Sequence, residues 1–306
     1  MGRPLSLGRT PPQLALPFTA VSASPVSFAD RLAAEVDRKR SQLVVGLDPR
    51  TDLLPIELRG DVARFCCGII DAVGPHAVAV KPQLAFFEAL GPAGMGAFDE
   101  VCRYARHAGV LVIADGKRGD IGSTARAYAD AYLDGSPPRA DALTVNPWLG
   151  RESMEPYLAA ARRNGAGIFV LVKTSNAGAD VQDVTLLDGR PMWQHVAQLV
   201  NEWGEDLVGE GGLSSVCAVV GATHPRAVAE ARRLMPQTIM LLPGVGAQGA
   251  SVADLAGAFT SGPASALVNS SRSVIYAFRS GETDFRSAAG AEAARLREEI
   301  WTAAGW

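Results

Sequence analysis

Val110–Thr124 reads VLVIADGKRGDIGST: an apolar run that stops at Asp115, followed within five positions by Gly116, Lys117, Arg118 and Asp120. An apolar run of this length bounded by glycine is the pattern of a strand buried on both faces. The charges therefore stand where a buried strand surfaces. Asp115 and Lys117 are two apart, so they share a face if the extended conformation persists. A carboxylate and an ammonium side by side on a rigid element can form a proton-transfer site or a structural ion pair, and the stretch by itself does not choose.

Outward from this stretch, strand-like and helix-like segments alternate along the chain. Ser27 and Asp30 have capping-box spacing and open a helix to about Arg40. Strands follow at Leu43–Leu47, Ala77–Val80, the opening stretch, Ala142–Val145, Gly167–Val172, Val216–Val220, Ile239–Leu242 and Ala266–Val268. The helices between them are Asp61–Val73, about Ala85 to His107 with an interruption near Gly91–Gly96, one through Tyr132, Glu152–Asn164, Met192–Trp203, Pro225–Met235 capped by Thr223, and Val252–Phe259. A short helix starts near Ser273 and a last one covers about Phe285–Ala303. Eight nearly all-apolar strands, each followed by a helix, predict an α/β fold: a single (β/α)8 TIM barrel with an extra N-terminal helix and a C-terminal helix. A doubly wound open sheet is the alternative, but its glycine-rich first turn is missing, since VVGLDPRTD contains no GxGxxG. Residues 1–26, rich in proline, serine and glycine without period, are set apart as an extension, which leaves 27–306 as one catalytic domain.

Composition excludes several classes. Of 306 residues, 48% are hydrophobic and 20% charged, with a net charge of −3, so there is no whole-chain footprint for nucleic acid. No apolar run approaches the roughly 18 residues that span a membrane. Cys66, Cys67, Cys102 and Cys217 lack metal-ligand spacing and read as buried free thiols of a cytoplasmic protein. The four histidines are scattered, which argues against a histidine metal site. Only four lysines (Lys39, Lys81, Lys117, Lys173) stand among 29 basic residues, and the last three end apolar runs. A lysine kept where arginine is the rule points to a need for a compact, titratable ammonium.

In such a barrel catalytic groups come from the C-terminal ends of strands. Those ends supply Asp48, Lys81, Asp115, Lys117, Ser175, the PGVGAQG loop and Arg272. Gly244, Gly246 and Gly249 allow backbone N–H groups close to an anion, and Arg272 offers a planar fork with a helix behind it. A tight turn and a solvated arginine account for the same residues. Ser175 and Asn176 suit either a polar ring edge or a turn. Lys173 suits either a Schiff base or, if its offset from Thr174 turns it out of the barrel, a structural role.

The segment VIADGKRGDIGST resembles the orotidine 5′-phosphate decarboxylase signature, Asp-x-Lys-x-x-Asp-[Ile/Val]-x-x-Thr, matched by Asp115, Lys117, Asp120, Ile121 and Thr124. The likeness covers about residues 27–280 through GLDP, VKPQ, VKTSN, PGVGAQG and SSRSVIYA. The last two, with VNPWLG, are similar to the bacterial subgroup with longer chains (type 2). Gly116 departs from the usual alanine, and Ala177 from a common proline. The resemblance implies decarboxylation of orotidine 5′-monophosphate to uridine 5′-monophosphate in pyrimidine biosynthesis, with no metal or organic cofactor. Asp48 and Lys81 would lie around the ribose, and Asp115 beside the substrate carboxylate. Lys117 would protonate C6, Ser175 would meet the pyrimidine edge, and Gln248 and Arg272 would hold the phosphate. Asp120, Ile121 and Thr124 would complete the site of the other subunit in a homodimer. A magnesium-dependent sibling acting on keto-sugar phosphates shares Asp-x-Lys-x-x-Asp but carries a glutamate ligand at the end of strand two, where this chain has Lys81.

Overall fold

The computed structural model describes residues 25–135, 137–244, 252–281 and 284–306. Residues 1–24 of the expected N-terminal extension lie outside the described residues. Eight parallel strands close into a barrel in sequence order, with β8 returning to pair with β1. They are β1 Leu43–Leu47, β2 Ala79–Pro82, β3 Leu111–Arg118, β4 Ala142–Val145, β5 Gly167–Lys173, β6 Ser214–Val220, β7 Thr238–Pro243 and β8 Ala266–Ser270. The α-helices are α1 Phe28–Lys39, α2 Val62–Val73, α3 Leu84–Glu88, α4 Gly91–His107, α5 Gly122–Leu133, α6 Arg151–Asn164, α7 Met192–Gly204, α8 Pro225–Leu234, α9 Arg272–Ile275 and α10 Phe285–Ala303.

Although the strands are apolar throughout, their residues divide by the period of two. Leu43, Val45, Leu47, Val80, Ala114 and Leu143 pack outward beneath the helices. Val44, Ala79, Ile113, Ala142, Phe169, Cys217, Ile239 and Leu267 point inward and share one cluster with Phe28, Leu32 and Val36 of α1. α1 thus plugs the N-terminal end of the barrel. Phe28 meets Phe169 edge-on, with ring centroids 5.8 Å apart, and a Cβ on Gly167 would stand 2.4 Å from the Phe28 ring. Ser27 and Asp30 cap the helix: the Ser27 hydroxyl accepts from the Asp30 N–H and donates to its carboxylate. That carboxylate also accepts from the Glu210 and Gly211 amides, which ties α1 to the loop before β6.

Three local expectations are corrected. The interruption of the third helical segment falls at Ala89–Leu90, and Gly91–Gly96 belong to α4. Val252–Phe259 is a 3-10 helix rather than an α-helix. Thr223 does not cap α8: His224 holds the cap position without a side-chain bond, and the Thr223 hydroxyl has no partner among the described residues.

Candidate active site

β3 pairs regularly with β4 up to Ala114, opposite Leu143, but the next pair is Arg118 with Val145. Four steps on β3 are matched by two on β4, so the strand bulges over Asp115, Gly116 and Lys117. The extended conformation therefore does not persist to Lys117, whose φ of 45° lies in the left-handed region. The bulge nevertheless brings the pair together. Lys117 Nζ donates to Asp115 Oδ1 at 2.6 Å, and Lys81 Nζ from β2 donates to Oδ2 at 2.6 Å. The Thr144 hydroxyl also donates to Oδ1, at 2.9 Å, and accepts from the Lys117 N–H at 2.9 Å.

Burial by itself would raise the Asp115 carboxyl, but the two ammoniums outweigh it and hold the group well below the usual carboxylate range. The Lys81 side chain is 8% exposed and that of Lys117 46%, so the second ammonium is the one presented to an incoming molecule. A cavity of about 240 Å³ opens above the pair. Its polar wall is Lys81, Asp115, Lys117 and Thr144; Leu171, Val219, Leu241 and Pro243 form the apolar side, and Thr174, Ser175 and Asn176 the rim. Gly221 admits this rim, since a Cβ there would stand 2.9 Å from Ser175 Cβ. The Asn176 side chain is held in a local turn, accepting from the Thr174 hydroxyl at 2.7 Å.

Lys173 is not part of this cavity. A register shift between Leu171 and Lys173 turns it away, and its buried ammonium pairs with Asp183 Oδ2 at 2.7 Å. The structural alternative for this lysine is the one realised.

On the β8–β1 side, Ser271 Oγ donates to Asp48 Oδ2 at 2.6 Å. Tyr276 Oη accepts from the Arg50 N–H at 2.7 Å and donates to the Asp48 carbonyl at 2.8 Å. Asp48 Oδ1 is buried without a partner among the described residues. Arg272, exposed, begins α9, the short helix expected near Ser273, whose four residues add only a small dipole. Gly244 closes β7 with φ 104°, a conformation glycine adopts freely, while Gly246 and Gln248 lie outside the described residues.

Asp120 accepts a hydrogen bond from the Ile121 N–H and, among the described residues, makes none with Asp115 or Lys117. Ile121 is 53% exposed and Thr124 is exposed. The structure thus gathers Lys81, Asp115, Lys117 and Ser175 around one cavity, sets Asp48 beside the Arg272 segment, and leaves Asp120, Ile121 and Thr124 out of the cavity lining. Thr144 is the site residue that sequence reading missed. Its only signal is that it is the one hydroxyl in the ALTV strand, one residue before the strand end.

A closed parallel barrel with a buried ionic cluster at its C-terminal mouth is the architecture of a (β/α)8 enzyme. Residues 41–282 match the model of the orotidine 5′-phosphate decarboxylase / HUMPS family. The orotidine 5′-phosphate decarboxylase of Rhodopirellula baltica is 45% identical over 299 residues, 90% of this chain and 99% of its own. That of Deinococcus radiodurans is 49% identical over 255 residues, 82% and 90% of the two chains. The structure of Leishmania donovani OMP decarboxylase superimposes with a TM-score of 0.73 at 32% identity, covering 91% of this chain and 99% of that one. The chain belongs to the orotidine 5′-phosphate decarboxylase family, and its class is that of the carbon–carbon lyases.

Proposed function

We propose that the chain decarboxylates orotidine 5′-monophosphate directly at C6 and releases uridine 5′-monophosphate, without a cofactor. The observation that carries this reading is the Lys81–Asp115–Lys117 constellation, in which one carboxylate is held 2.6 Å from each of two ammoniums at the barrel mouth. In this reading the substrate carboxylate enters beside Asp115. The C6–carboxylate bond breaks, its electron pair stays on C6, and Lys117 Nζ delivers a proton there. A vinyl carbanion at C6 has no carbonyl positioned to delocalise it, so a fixed adjacent cation is the stabilisation available. A lysine ammonium is both that point charge and the acid.

Asp115 stays ionised at neutral pH, so it confronts a second carboxylate. Two such charges about 4 Å apart repel by about 4 kcal/mol at an effective dielectric of 20. That corresponds to roughly a thousandfold in rate, and remote binding energy at the phosphate has to supply much of the rest. We assign the phosphate to Gly244, Gly246, Gln248 and Arg272, the ribose to Asp48 and Lys81, and the pyrimidine edge to Ser175. The family name spans more than one chemistry, and the keto-sugar alternative needs a metal-ligating glutamate where this chain has an ammonium in contact with Asp115.

We further propose a homodimer in which Asp120, Ile121 and Thr124 complete the partner's site. Ile121 at the β3 exit and Trp148 at the β4 exit, 53% and 70% exposed, lie on neighbouring loops and supply apolar surface for a second copy. VNPWLG, PGVGAQG and SSRSVIYA support placing the chain in the long-chain bacterial subgroup.

The test is absorbance-monitored turnover of orotidine 5′-monophosphate in chelator. Wild type turns over. Lys117→Ala loses carbon dioxide release but keeps binding of uridine 5′-monophosphate. Absence of wild-type turnover, or activity that vanishes in EDTA and returns with Mg²⁺, sinks the proposal.

A further inference from the structure

The β3 bulge leaves a structural debt at Lys117. With two extra residues between Ala114 and Arg118, the Lys117 N–H meets no ladder carbonyl of β4 and instead donates to the Thr144 hydroxyl oxygen. The same hydroxyl spends its own hydrogen on Asp115 Oδ1. Thr144 is 1% exposed, so water does not reach it to substitute for either bond. One oxygen atom therefore joins the backbone of the lysine to the side chain of the aspartate, across the bulge that separates them.

We propose that Thr144 is a positioning residue for the decarboxylation proposed above, on which this inference rests: its hydroxyl holds Lys117 in the left-handed conformation that turns the ammonium back onto Asp115. Lysine has no intrinsic preference for φ 45°. Sparsely populated backbone states persist only where surrounding contacts over-determine them. Here the contact that does so comes from Thr144. Without it the Lys117 N–H is orphaned in the barrel wall, and the bulge relaxes toward extended backbone. The ammonium then moves off Asp115 and away from the point where C6 is protonated. Asp115 also loses a neutral donor that orients its carboxylate without adding charge.

Valine has the shape of threonine without the two hydrogen bonds, and it keeps the β-branch that suits a strand. Thr144→Val is expected to lower kcat about 100-fold, the cost of misplacing a reacting group by about 1 Å. The dissociation constant for uridine 5′-monophosphate should stay within about threefold, because the phosphate contacts lie elsewhere; equal losses in kcat and affinity contradict the inference. Thr144→Ser, which restores the oxygen, should recover kcat to within about tenfold of wild type, less than one hydrogen bond to a charged group is worth. Thr144→Cys, with a weak donor and acceptor in its place, should behave as valine does and keeps the comparison decisive if the valine variant does not fold. A purely structural role predicts that melting temperature falls in each variant while kcat per folded molecule stays at the wild-type value, and that result overturns the inference. Failure of wild type to turn over is a different outcome, which removes the proposed function itself.

Discussion

Gly116 separates Asp115 from Lys117 where the family signature usually has alanine, so adding one methyl group there is an informative perturbation. An alanine Cβ would stand 2.6 Å from Leu84 Cδ1 and 3.2 Å from Arg118 Nε. Gly116 is not among the positive-φ residues, so alanine can adopt its backbone. Taken alone, that change stabilises by about 0.4–1 kcal/mol through the unfolded chain. Opposing it, Leu84 is fully buried and cannot swing into solvent, and overpacking a core costs about 1–3 kcal/mol. Overpacking wins, and Gly116→Ala is expected to destabilise by roughly 1–2 kcal/mol, or about 1.5–3 °C in Tm for a chain of this size. The assay is thermal unfolding of Gly116→Ala, Leu84→Val and the double variant. Valine has no δ carbon, so Leu84→Val alone opens a void and costs about 1 kcal/mol, while the double variant should be more stable than the two losses summed. A Gly116→Ala protein that melts at or above wild type with Leu84 in place, or strictly additive losses, refutes the reasoning.

Three other outcomes follow from the geometry. A carboxyl depressed in the fold, as Asp115 is by its two ammoniums against the opposing effect of burial, contributes stability above its unfolded pKa near about 4 and loses it as pH falls through the folded value. The wild-type and Asp115→Asn stability curves should therefore separate above about pH 4 and converge below it; denaturant titrations showing a constant gap would exclude this. Arg232 is buried with no carboxylate partner among the described residues, donating to the carbonyls of Met235, Pro236, Thr238, Ala258 and Ser265, and burial pulls its guanidinium down to about 10. Arg232→Lys should cost at least about 3 kcal/mol in urea unfolding, because an ammonium cannot reproduce the fork, whereas near-wild-type stability would show that the fork is dispensable. Tyr276→Phe keeps the stack on Phe65 (centroids 6.2 Å apart) but frees the Asp48 carbonyl. Steady-state kinetics should show KM up about tenfold, one hydrogen bond's worth, with Tm nearly unchanged; an unaltered KM would disconnect the phenol from Asp48.

The barrel was legible because its strands are short apolar runs closed by polar residues. β1 and β4 begin and end where their hydrophobicity does. In β3 the charges after Ala114 mark, by sequence, the place where a buried strand surfaces. They sit in a bulge that still pairs at Arg118, and a register shift set by a neighbouring strand leaves no mark in local periodicity. Asp115, Lys117 and Lys81 were visible as ionic residues in apolar company. Thr144 was not, because threonine in a strand is unremarkable until its partner atoms are known. Lys173 shows the converse: the same apolar-run-then-lysine pattern led to a structural pair with Asp183, and only the shift at β5 separates the two outcomes. Thr223 looked like a cap from composition alone, yet caps depend on a dihedral angle that composition does not specify.

The plug at the N-terminal end of the barrel has a consequence for the order in which the chain acquires structure. α1 precedes every strand in the chain, yet its seat is built from inward residues of all eight, from Val44 on β1 to Leu267 on β8. Phe28, Leu32 and Val36 therefore cannot complete their burial until the last strand has closed against the first, which makes α1 a first-made and last-docked element with the longest loop-closure cost in the molecule. Until then its apolar face is open to other chains, so during synthesis the interval between α1 and β8 is when this protein is most exposed to aggregation.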